Sequence, residues 1–162
     1  MSTFENSEYK WRETYFVMFD VAKRPTLEKL SKTLHKVNPR FELSNLAGDE
    51  TGMFESLTLH SPQDYAAVDI SYTDDDEVKE QGVNLQNDLR ATATEPEERA
   101  KLARLPKCTA RLDILHFEQI VAAEPEEDGD EMLDPSALLM ILDALVEMTG
   151  GVGVDPQSGT VF

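Results

Sequence analysis

Hydrophobic positions recur along the chain with two periods, one typical of strands and the other of helices. Residues 14–21 are apolar on both faces and rich in aromatic and β-branched side chains, which predicts a strand covered on both sides. Within residues 27–37 the apolar positions change to helical spacing, with lysines between them. This predicts an amphipathic helix that begins near Pro25 and ends before Pro39.

The middle of the chain alternates short apolar runs with turn signals. The two glycines of residues 48–52 separate two such runs, which is typical of a hairpin. Residues 73–76 are suited to cap a helix, although Gly82 weakens that helix by about 1 kcal/mol. Pro106 stops a second helix. The predicted strands are residues 41–46, 53–59, 65–72 and 110–117, and the predicted helices are residues 76–90 and 95–105.

The strongest helix signal lies near the C-terminus. Asp134 is a favourable N-cap and Pro135 a favourable first residue, while Gly150 is suited to end the helix. We therefore predict a helix over residues 136–148. The residues after it predict a closing hairpin with its turn at residues 156–159.

The order of these elements predicts an α+β protein. Strand–helix–strand–strand followed by helix–strand is compatible with a ferredoxin-like sandwich, in which a mostly antiparallel sheet carries its helices on one face, here with extra strands. Neither an internal repeat nor a convincing boundary divides the chain. We expect a loose N-terminal segment over residues 1–12 and a single α+β domain over residues 13–162.

The formal net charge of −17 narrows the choice of partners. Six basic residues lie between Lys23 and Arg40, opposed only by Glu28, whereas residues 112–162 contain 12 carboxylates and no Lys or Arg. Because a chain of this charge repels phosphate-rich surfaces, we expect no nucleic-acid binding. The longest apolar run has six residues and a membrane span needs about 20, so we expect no membrane segment.

Two helix surfaces are candidates for interaction. Lys29, Lys32 and Lys36 recur at intervals of three and four residues, so they share one side of the first predicted helix. The last helix is apolar almost all round, and this excess indicates either deep burial or a dimer contact. Its candidate contact residues are Leu138, Leu142 and Leu145.

These features predict a non-catalytic binding or protein-interaction module that contacts a protein partner or forms a homo-oligomer. An acidic protein surface is the favoured partner of the lysines, and residues 124–134 of a neighbouring copy would provide one. The alternative is a hydrolase or a metal-dependent enzyme that uses dispersed Asp, Glu and His residues.

The candidates for such chemistry are scattered. A loop beginning at Glu124 places Gly129 at the sixth position of an EF-hand, but Pro135 occupies the twelfth, where a bidentate Glu is needed. Three histidines without a matching set of ligands do not define a zinc site. No catalytic, metal-binding or cofactor-binding residue is therefore assigned. The remaining candidates are His60 with Asp64 in one turn, His116 with Glu118 on one strand face and Asp113 on the other, His35 on the basic helix, and Asp20 and Asp69 in apolar strands.

The single cysteine and the polar N-terminus favour a cytoplasmic location. Cys108 has no partner for an intrachain disulfide, and the N-terminus lacks the basic start and apolar middle of a secretory signal. A lone cysteine of this kind is most often a small buried side chain.

The C-terminal sequence also carries a resemblance. Residues 149–162 read Thr-Gly-Gly-Val-Gly-Val-Asp-Pro-Gln-Ser-Gly-Thr-Val-Phe after an apolar helix. This ending resembles that of uncharacterised bacterial proteins of unknown function. The resemblance implies a bacterial origin and a closing hairpin, and it implies no activity.

Overall fold

A computed structural model describes residues 9–62, 66–119 and 136–162, which form a seven-stranded sheet and four α-helices. Short 3₁₀ turns at Val21–Lys23 and Leu105–Lys107 join some of these elements. The strands are β1 (Tyr9–Phe19), β2 (Glu42–Gly48), β3 (Phe54–Ser61), β4 (Ala66–Thr73), β5 (Ala110–Gln119), β6 (Val152–Asp155) and β7 (Thr160–Val161). The helices are α1 (Leu27–Val37), α2 (Asp76–Leu89), α3 (Pro96–Arg104) and α4 (Ser136–Thr149).

The N-terminal strand is longer than its apolar pattern predicts. β1 begins at Tyr9, and its first residues pair with β5 as far as Gln119. Residues 9–12 are therefore part of the sheet, which corrects the predicted loose segment for these four residues, while its residues 1–8 lie outside the described residues. The apolar pattern misses them because this end of β1 carries exposed or charged side chains, among them Trp11 and Arg12.

The strand order is β2-β3-β4-β5-β1-β6-β7, and each neighbouring pair is antiparallel. The α+β class and the mostly antiparallel sheet are thus confirmed. The ferredoxin-like sandwich is not confirmed, because β1 and β2, which α1 connects, have three strands between them. A split β-α-β unit has one strand between its two members. β5, α4 and β6 form such a unit around β1.

Helices cover both faces of the sheet. Successive residues of β1 point to opposite faces, so Val17 and Phe19 join the main core, which contains α1 and α4, while Met18 joins a second core with α2 and α3. The prediction that the helices pack on one face is wrong. A strand that is apolar on both sides has to be covered on both sides. The main core includes Val17, Phe19, Leu30, Leu34, Leu57, Leu59, Ile70, Leu112, Ile114, Leu142 and Leu145.

Gly82 allows α2 to pack closely against the backbone of the 3₁₀ turn at Leu105–Lys107. It is buried in the middle of α2, and a Cβ atom at this position would lie 2.2 Å from the carbonyl oxygen of Leu105. The glycine therefore lets α2 pack directly against the backbone of the 3₁₀ turn at Leu105–Lys107. Its weak helix propensity is offset by this close packing, which positions α2 over the second core.

Candidate functional site

The first candidate surface is built on α1, whose local sequence determines its limits. The side-chain oxygen of Thr26 caps the helix by accepting a hydrogen bond from the backbone N–H of Lys29 at 3.0 Å. At the other end the backbone N–H of Asn38 donates to the carbonyl of Leu34 at 3.2 Å, before Pro39 prevents continuation. Leu30 is fully buried against the sheet, so the lysines of the helix face outward.

The outward side of α1 is a basic surface, which we call the lysine face and define by Lys29, Lys32 and Lys36. These residues line a shallow groove of about 360 Å³ together with Thr26, Glu28 and Thr33. Lys32 Nζ lies 2.9 Å from Glu28 Oε1, and this ion pair lowers the pKa of the Glu28 carboxyl. Both side chains of the pair are more than 70% exposed, so water screens it and it adds little stability.

The other two lysines of this surface make no ion pair within the described parts of the chain. Their charges are therefore available to a partner, and the lysine face carries net positive charge even after Lys32 and Glu28 are paired. The sequence prediction that the three lysines share an exposed side of the helix is confirmed, since all three are exposed and line one groove.

For the second candidate surface, on α4, the structure agrees with the first of the two predicted alternatives, deep burial. Leu138, Leu142 and Leu145 are 5%, 2% and 0% exposed and belong to the main core, so deep burial accounts for them and they are not accessible to a partner in the folded chain. The exposed apolar side chains are instead Leu139 at 54% and Met140 at 52%. They lie on the outer side of α4, in the same helix layer as α1.

Sequence reasoning missed Leu139 because the helix is apolar almost all round. The side of the helix that faces the core is known from its contact with the sheet. Because no polar residue separates Leu138 from Leu139, the sequence does not show which of the two faces the core. The polar residues of the helix do mark part of its outer side, since Asp143 and Glu147 are exposed, and Met140 is exposed three residues before Asp143.

A half-buried polar cluster lies on the same face of the sheet as α1 and α4, near the end of the β1–β5 pair that contains Tyr9. His116 Nδ1 lies 3.4 Å from Glu13 Oε1, and the hydroxyl of Tyr15 donates to the same oxygen at 3.3 Å. Burial lowers the pKa of His116, although Glu13 opposes this effect. Burial, assisted by the negative charge of Glu13, raises the pKa of Tyr15 to about 12.

The alternation predicted for β5 agrees with this arrangement. Glu118 follows His116 on the same face and pairs with Arg12 at 3.3 Å, while Asp113 lies on the opposite face beside Arg111. His116 Nδ1 has no hydrogen-bond partner among the described residues, so the Glu13–His116 pair is a close contact without a hydrogen bond that would orient the imidazole. Within the described residues we assign it no nucleophile and no metal.

The other histidines of the described residues have separate contacts. His60 packs against Tyr9 with ring centroids 5.8 Å apart, and its predicted partner Asp64 lies outside the described residues. His35 Nε2 lies 3.1 Å from the carbonyl oxygen of Phe41. Asp20 accepts from the backbone N–H of Ala22 at 2.9 Å in a 3₁₀ cap, and Asp69 accepts from Thr58 at 2.8 Å.

The described residues contain no candidate metal site. Among residues 9–62, 66–119 and 136–162, no group of three or more His, Cys, Asp or Glu side chains could hold a metal ion. The acidic run of residues 124–134, with its EF-hand-like spacing, lies outside these ranges. Cys108 is buried, and burial raises the pKa of its thiol to about 11, so the thiolate is disfavoured.

Comparison with protein-family models, with curated proteins and with solved structures gives no match. None of the helices in the described parts of the chain combines the length and the apolar character needed to cross a bilayer.

Proposed function

We propose that the protein is a non-catalytic protein-interaction module and that the lysine face of α1 is its contact surface. The observation that carries the proposal is the division of α1 into two sides. Leu30 and Leu34 are fully buried in the main core, whereas the lysines extend into solvent with two of their three charges uncompensated in the described chain. The core requires only the apolar side, so the lysines are available for recognition.

The partner that fits this surface is an acidic protein segment. Carboxylates can pair singly with lysines spaced along a helix. A neighbouring copy could supply the acidic segment through residues 124–134, which contain seven carboxylates. Salt at about 0.15 M screens charges beyond about 8 Å, so only groups close to the lysine face contribute to binding.

Nucleic acid fits this surface poorly. A duplex extends well beyond three lysines, and the net charge of −17 would repel the rest of its phosphates. The proposed setting is the bacterial cytoplasm. A single buried cysteine and the resemblance of the C-terminal sequence to bacterial proteins support it.

Binding to a synthetic peptide with the sequence of residues 124–134 tests the proposal. The peptide carries a fluorescent label, and anisotropy is measured at about 50 mM and about 150 mM salt. Lys29→Gln/Lys32→Gln/Lys36→Gln should weaken binding at least tenfold at the lower salt. The matched control Lys10→Gln/Lys79→Gln/Lys107→Gln removes the same charge from exposed lysines elsewhere and should change affinity less than threefold.

Two results would overturn the proposal. Equal weakening by the two triple variants would show that only net charge matters, and tight retention of duplex DNA at about 0.15 M salt would assign the lysine face to nucleic acid. Light scattering on the same samples separates a second copy from a different partner, since a mass that falls with salt and with the α1 variant identifies self-association.

A further inference from the structure

We draw no further inference here: the strongest candidate, the groove of about 270 Å³ between α2 and α3 that Arg90 and Arg99 line, carries none because both arginines are exposed and nothing in the structure shows what occupies it.

Discussion

Replacement of Leu142 by alanine should be among the most destabilising single changes in α4. Its side chain is 2% exposed and packs in the main core between α4 and the sheet. The substitution removes three carbon groups, which at about 0.8 kcal/mol each amounts to about 2.4 kcal/mol of lost burial. The cavity left behind adds to this, so the free energy of unfolding should fall by about 2–5 kcal/mol.

Met140→Ala is the matched control on the same helix. Met140 is 52% exposed, and alanine has a slightly better helix propensity, so its replacement should change the free energy of unfolding by less than about 1 kcal/mol. Urea denaturation followed by circular dichroism provides both values. The melting temperature of Leu142→Ala should fall by roughly 2–4 °C for each kcal/mol lost.

A urea midpoint for Leu142→Ala equal to that of Met140→Ala would refute the assignment of α4 to the core. It would mean that the outer and inner sides of the helix are interchangeable, and that an interface of the kind first predicted for Leu138, Leu142 and Leu145 has to be reconsidered.

Three further predictions concern single side chains. Gly82→Ala should destabilise the protein by about 1–3 kcal/mol in urea titrations despite the better helix propensity of alanine, because its Cβ atom would lie 2.2 Å from a backbone carbonyl oxygen. The control Val83→Ala, at an exposed position, should change stability by less than about 0.5 kcal/mol. The thiol of Cys108, buried and with its pKa raised to about 11, should react with Ellman's reagent at pH 8 much more slowly in the folded than in the urea-unfolded protein, and equal rates would contradict its burial. Burial holds the pKa of His116 below its usual 6.5, so the stability that the neutral ring provides is complete above about pH 6.5 and is lost as the pH falls below that value. Between about pH 7 and pH 5, His116→Gln should therefore lose less stability than the wild type. Equal losses would contradict the prediction.

The elements could be predicted from the sequence because local patterns determine them. The predicted helix over residues 27–37 coincides with α1, and the predicted helix over residues 136–148 corresponds to α4. The first has clear apolar periodicity and recognisable ends, and the second is a largely apolar segment that ends at a glycine. The start of β1 was missed since its exposed end carries charges that pair across strands, such as Arg12 with Glu118, and a pairing of this kind has no local signal.

The arrangement of the elements was harder to predict. Strand order depends on which segments pair over long sequence distances, and β1 pairs with β5 about 100 residues later, which no periodicity reveals. The two-sided apolar character of β1 was nevertheless a signal that both faces are covered. For the candidate sites, helical spacing was enough to find the lysine face.

The two edges of the sheet have a consequence for behaviour at high concentration. β2 forms one edge, and its register with β3 shifts twice, around Ala47, while Asn45 adopts a left-handed conformation with φ of 52°. β7, at the other edge, has only two residues. An irregular edge and a very short one offer no long, flat row of backbone donors and acceptors to another strand. Among the described strands, neither edge therefore favours growth of the sheet from molecule to molecule, the route that leads to fibres.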